Sequence, residues 1–569
     1  MRFTAPADFA AASWDEIAAA YDCLLAQPVD HGTVAGWLAE WSRLESNLSE
    51  AASLAMIAYT CDTADSAKEA SYRRFAVEIG PRAEEKSVAL ARRLCAVGYA
   101  PPDLAPAVAR FRRAIEVFRE ENVPLTAQLE ETIAEYQRLT GGFEVEFEGR
   151  RLPIPQLAPF LQSPDRARRE AAFRAGVGPY LGQRETMARL FDRQLELRRQ
   201  VARNAGYADF RDYSFAAKCR FDYTPGDCER FQAAVEAVAV PAVARLRRAR
   251  AATLGVTELR PWDLAVSLHR REPLRPFSDG ADLTRRAQAV FDRLDPVLAA
   301  QFRDMAGRGL LDLDSRPGKA PGGYCDTLHS RGAAFIFMNA SGVMEDVETL
   351  LHEAGHAFHA FASHRQPLIW QRHPSSESAE LASMSMELLA APLLDGPGAF
   401  LSSRDAAIAR LEHLEDVLVT LCHVASVDAF QHWIYTDPAG CDARARDQAW
   451  LSIRARFEPI VDWGGLEAER IARWYRQLHI FLYPFYYIEY GIAQLGALQI
   501  WRRHRRDPGD ALARYRDFLA LGATRSLPEL YRVAGASLVF DAGSMAELVA
   551  EVEAEIESLR AQIGREGLA

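Results

Sequence analysis

His352 and His356 stand four residues apart in the run Leu350 to Phe361, with Glu353 directly after the first of them. Only a helix turns that spacing into a shared face, on which both imidazoles can reach one cation. Glu353 lies a little way round the same helix, close enough to hold a water on that cation. This is the H-E-x-x-H arrangement of zinc hydrolases. The competing reading is a partly buried amphipathic helix whose two histidines are only hydrogen-bonded.

A catalytic zinc takes three protein ligands and keeps a fourth position for water. Glu380 is the best third donor. It falls in the stretch Ser375 to Glu387, where Ser375 or Ser376 after Pro374 starts a helix and Pro392 limits it. The intervening chain is long enough for this helix to return against the first. Glu377, one turn earlier, is the nearest competitor. Glu387, two turns past Glu380, faces the same way and suits a hydrogen bond to a ligand histidine. His359 and His364 have the wrong offsets and read as packing or surface residues.

Hydration of an amide also places negative charge on its carbonyl oxygen, and a fixed donor there lowers the barrier. His479, Tyr483, Tyr487 and Tyr490 follow one another at three- and four-residue spacings, which is one helical face. Pro484 inside the run kinks this helix or sits in its first turn. A tyrosine stripe of this kind ordinarily means core packing. Beside a zinc motif, His479 and Tyr490 read as oxyanion donors.

The surrounding chain supplies a scaffold. Its 569 residues, 49% of them hydrophobic, suffice for a large core in two or three lobes. Residues 1–140 read as consecutive amphipathic helices, punctuated at Pro101-Pro102 and Asn122-Val123-Pro124. At Phe143 to Leu152 the pattern alternates with Gly149 at a turn, a hairpin signal and a domain boundary. Helices resume from Asp165 to Asn204, interrupted at Gly176 to Tyr180, and from Cys228 to Leu254. Gly322-Gly323 then introduces two β-rich runs, Tyr324 to Thr327 and Ala334 to Met338. These read as a small sheet beside the zinc helix, with an edge able to bind an extended peptide. Gly322 and Gly323 are taken to line the substrate path. From Val343 onward the chain is again mostly helical.

The net charge of −11, with no basic stripe interleaved with aromatics, disfavours nucleic acid as a partner. No apolar run of membrane-spanning length is evident, and the first residues carry no apolar signal core. Eight scattered cysteines without a C-x-x-C pair read as thiols in a reducing compartment, with Cys325 near the cleft. The expectation is a cytoplasmic protein with no membrane partner.

The run Thr349 to Phe358, followed by Glu380-Leu381-Ala382-Ser383-Met384, resembles the M3 metallopeptidases, and within them the oligoendopeptidase F and Pz-peptidase branch. Gly322 to Cys325, Phe335 to Asn339, Gln431 to Tyr435 and the tyrosine-rich stretch 479–490 extend the resemblance from about residue 140 almost to the C terminus. The Trp41 to Pro81 region carries it more weakly. The resemblance implies a mainly α, two-lobed zincin-type body with a small β-sheet beside the H-E-x-x-H helix and a deep channel that admits short peptides. It implies one zinc per chain, His479 and Tyr490 stabilising the tetrahedral intermediate, and Tyr483 and Tyr487 beside them. The oligoendopeptidase F pattern favours Tyr486 over Tyr487, so the middle tyrosine stays open.

The expected protein is a helical N-terminal lobe, 1–140, followed by a catalytic region, 141–569. It is expected to cleave internal bonds of oligopeptides, with zinc on His352, His356 and Glu380 and with Glu353 as general base. Two rivals are a zinc carboxypeptidase of similar helical build and a catalytically silent peptide-binding scaffold.

Overall fold

The computed structural model describes residues 3–270 and 272–566. The N-terminal periodicity becomes helices Trp14–Ala26, Val34–Cys61, Ser66–Arg73, Gly80–Val97, Ala105–Val117 and Val123–Gly141. Helices Trp14–Ala26, Val34–Cys61, Gly80–Val97 and Ala105–Val117 close their apolar faces on Trp37, Trp41, Leu90, Leu94 and Phe111, a core separate from the main one. Ile57 and Tyr136 already belong to the larger core, which takes in both ligand-bearing helices.

The hairpin at the boundary is β1 (Glu144–Phe147) against β2 (Arg150–Pro153), antiparallel. Glu148 and Gly149 both have positive φ, the geometry that a two-residue turn needs to match strand twist. A second sheet, in the order β3-β5-β4, joins β3 (Leu311–Asp314), β4 (Tyr324–Leu328) and β5 (Ala333–Ala340). β4 is antiparallel to β5 and forms one edge, while β3 pairs with β5 in parallel. β5 is almost wholly buried, as a central strand with both faces covered must be. Its inner face packs on helix Met344–Ser363, which carries His352 and His356.

Three elements differ from the sequence expectation. The Gly176 to Tyr180 segment does not interrupt its helix, which runs Arg166–Gly182 and breaks only at Gln183. A single internal proline removes one ladder bond, and neighbouring turns hold the helix together around it. β3 was not expected at all, because four residues of alternation are too few to stand out. Helix Ser403–Thr436 is long and apolar enough by composition to cross a membrane, but 78% of its apolar window is buried. It is the central helix of the main core, packed against helices Pro225–Ala237, Tyr487–Arg506 and Ala542–Glu566.

Candidate active site

Helix Ser376–Ala390 begins after Ser375, as its sequence implies, and returns against helix Met344–Ser363. The two approach closely because Gly355 sits between the histidines. A Cβ there would lie 2.6 Å from the Ser383 Cα and 2.7 Å from the Ala382 carbonyl oxygen. The small residue of the motif is therefore a packing requirement of the site.

That approach brings three donors together. Glu380 Oε2 lies 3.2 Å from His352 Nε2 and 3.5 Å from His356 Nε2. All three ligand atoms fall within 4.8 Å of one another. The donor set, two imidazoles and a carboxylate, suits zinc. Glu377 is not part of it: its carboxylate accepts from the Tyr223 hydroxyl at 2.6 Å.

The surroundings orient these donors. His352 Nδ1 is 2.6 Å from Glu387 Oε1, so a proton on Nδ1 leaves the Nε2 lone pair facing Glu380. Glu387 Oε2 meets His413 Nε2 at 3.0 Å. Glu380 accepts from the Tyr486 hydroxyl at 2.6 Å on Oε1 and from the Ser383 hydroxyl at 2.9 Å on Oε2. Burial alone would raise the pKa of Glu380, but His356, His352 and the Tyr486 hydroxyl outweigh it and hold the carboxyl at about 2. Burial lowers the pKa of His352, yet Glu380 and Glu387 carry it well above the usual histidine range. Carboxylates that favour a proton there favour a divalent cation for the same reason. His356 is pushed down to about 4 by burial and stays neutral, as a ligand must.

Glu353 is 6% exposed, and its Oε2 has no hydrogen-bond partner. Burial raises its pKa to about 7; His352 opposes the rise, while Glu380 and Glu387 add to it. Gly323 backs this carboxylate, since a Cβ at that position would lie 3.6 Å from Glu353 Oε1. Gly322, with φ +98°, and Gly323 line a cavity of about 390 Å³ together with Thr349 and Leu478. Cys325 follows on β4, where burial pushes its thiol up and Glu353 adds to the effect.

The tyrosine stretch corrects the expectation of one helical face. His479 belongs to a short helix, Leu478–Leu482, and Tyr490 to another, Tyr487–Arg506. Pro484 cannot donate to a continuing helix, it disfavours helical φ/ψ at Tyr483, and Phe485 turns back with φ +62°. The two residues still meet across the break, with His479 Nε2 3.1 Å from the Tyr490 hydroxyl. The same break swings Tyr486 onto Glu380. The Tyr487 ring instead lies edge-on to His479 at 5.0 Å and to His423 at 5.4 Å. Tyr487 and Tyr490 line a second cavity of about 230 Å³ with His352, Glu387 and His413. Tyr483 is 51% exposed. His413 and Ser383 had no local signal, being an ordinary core-helix histidine and a serine one turn past a glutamate.

The chain matches known protein families over most of its length. The model of peptidase family M3 matches residues 160–548, and that of the peptidase M3 N-terminal domain matches residues 6–102. Oligoendopeptidase F, plasmid, of Lactococcus lactis subsp. cremoris is 22% identical over 388 residues, 66% of this chain and 61% of that protein. An oligoendopeptidase F homolog of Lactococcus lactis subsp. lactis is 24% identical over 230 residues, 40% of this chain and 36% of that protein. The matched stretches thus span less than two thirds of either relative's own length. The solved structure of Pz peptidase A with inhibitor 2 superposes with a TM-score of 0.90 at 28% identity, covering 96% of this chain and 98% of that one. With the family model spanning the ligand helices, the sheet and the tyrosine break alike, this chain belongs to peptidase family M3.

Proposed function

We propose that this chain is a zinc-dependent endopeptidase that hydrolyses internal bonds of short oligopeptides. The observation that carries the reading is the convergence of His352, His356 and Glu380 beside the buried, unpartnered carboxylate of Glu353. A zinc ion held by those three side chains supplies Lewis acidity for water activation and carbonyl polarisation. Glu353 takes the proton of the attacking water and later passes it to the leaving nitrogen, a double role suited to a pKa near 7. The Tyr490 hydroxyl, with His479 beside it, donates to the oxygen on which charge develops.

The edge position of β4 favours main-chain pairing with an extended peptide, which gives affinity without strict side-chain demands. Gly322 and Gly323 leave room for that backbone. Residues 1–140 are read as the lobe that closes the channel over the catalytic region 141–569. Among the described residues all eight cysteines are free, which suits a reducing compartment such as the cytoplasm.

A peptide blocked at both ends tests the reading, with products located by mass spectrometry. Internal cleavage is expected. Removal of single residues from free C termini only would replace it with a carboxypeptidase. Glu353→Gln should lose about 10²–10⁴-fold in kcat with zinc still bound, and full activity in that variant would remove Glu353 from the mechanism.

A further inference from the structure

A second cluster of ligand-type side chains lies in the main core and shares no residue with the catalytic set. Helix Pro225–Ala237 contributes Cys228, and helix Ser403–Thr436 contributes Asp428 and His432, four apart on one face. One ligand atom from each falls within 4.8 Å of the other two. Cys228 and Asp428 are fully buried and His432 is 6% exposed.

Their hydrogen bonding is incomplete in a way that needs an explanation. Asp428 Oδ2 accepts from the Gln232 amide at 2.7 Å, but Asp428 Oδ1 has no partner. Neither ring nitrogen of His432 has one, although Nε2 stands 3.5 Å from Asp428 Oδ2. Buried polar atoms in folded proteins are almost always paired, and an unpaired set that converges marks a place for a bound ion or water. The neighbouring Arg220 does not fill the role. Its Nη2 is engaged with Glu489 at 2.8 Å and its guanidinium lies over the Phe215 ring, while its Nε and Nη1 have no hydrogen-bond partner.

We infer that Cys228, Asp428 and His432 form a second, structural metal site for a thiophilic divalent cation, with zinc as its natural occupant. A thiolate, a carboxylate and a neutral imidazole balance the charge of a divalent ion, so the loaded cluster is neutral in a medium that penalises net charge. The mixed sulfur, nitrogen and oxygen set selects zinc over magnesium or calcium. Gln232 holds Asp428 Oδ2 in place and leaves the unpartnered Oδ1 free to reach the ion. Binding releases the Cys228 proton to solvent, as thiolate ligation requires.

The site clamps helix Pro225–Ala237 to the central helix next to the break that delivers Tyr486. His432 lies edge-on to Phe485 at 5.5 Å, and Gln431 accepts from the Phe485 backbone N–H at 2.7 Å. The clamp therefore underpins the segment on which Glu380 depends.

The catalytic set contains no sulfur, so cobalt distinguishes the two sites. Cobalt-loaded wild type should hold two equivalents per chain and show a thiolate-to-cobalt charge-transfer band in the near ultraviolet. Cys228→Ser should lose the band and one equivalent. His356→Ala should lose one equivalent and keep the band. A wild type without the band overturns the second site, and one equivalent without the band does so while leaving the catalytic reading standing. A band that survives in Cys228→Ser overturns it as well. Absence of the band in wild type overturns the site even where a variant folds poorly.

Discussion

Replacing Gly355 by alanine should damage the site through packing alone. In a helix, alanine is better than glycine by about 1 kcal/mol. Here, however, the new methyl meets the Ser383 Cα at 2.6 Å and the Ala382 carbonyl oxygen at 2.7 Å. Both obstacles are backbone and cannot rotate away. Ordinary contact begins at 3.4 Å, so the two helices must separate by about 0.8 Å. Overpacking of this kind costs about 1–3 kcal/mol, which cancels or exceeds the helix gain. The larger effect falls on chemistry, because the displacement moves Glu380 away from His352 and His356. A misplacement of about 1 Å costs on the order of 10²-fold in rate. Gly36→Ala is the internal control. It sits exposed on helix Val34–Cys61 with nothing within 4 Å of the new methyl, and should stabilise by about 0.5–1 kcal/mol. The assay is kcat on a quenched peptide, with zinc affinity and a denaturant midpoint for each variant. Wild-type kcat and zinc affinity in Gly355→Ala would refute the claim that the glycine sets the helix spacing.

Tyr490→Phe should lower kcat by about 10²–10³-fold with KM little changed; a change confined to KM would make it a binding residue. Tyr486→Phe removes the 2.6 Å bond to Glu380 and should weaken zinc affinity about 10–100-fold, as read by chelator competition, whereas Tyr487→Phe should not. Glu458 tests the acid limb of stability. Burial raises its pKa, but Arg454, Arg473, Arg247 and Arg470 outweigh it and hold the carboxyl well below the usual range. A depressed carboxylate stabilises above its unfolded value, about 4.3, and that contribution is lost as pH falls further. Denaturant stability should therefore drop below about pH 4 and drop less steeply in Glu458→Gln; equal slopes would contradict the assignment.

The parts of the site legible in the sequence are those that local geometry dictates. His352, Glu353 and His356 follow from helical spacing, and Glu380 from a helix start at Ser375 that the fold reproduces. The hairpin at Glu148-Gly149 and the pairing of β4 with β5 were equally local. What was not legible depends on tertiary contact. His479 and Tyr490 were paired by a helical face that Pro484 breaks, and their meeting depends on the turn at Phe485. His413 reaches Glu387 from the central helix, with nothing in its neighbours to announce it. That helix hid its apolar length behind the charged residues of its first half, Arg404 to Asp416. Cys228, Asp428 and His432 come from segments that only the packed core unites.

The central claim is that the three-ligand set works through a bound metal on internal peptide bonds. The most direct measurement is hydrolysis of an internally quenched, end-blocked oligopeptide by wild type, before chelation, after it, and with zinc restored. The account predicts internal cleavage that the chelator stops and zinc restores. Cleavage that continues in the metal-free protein, or none at all in protein with zinc bound, would contradict it.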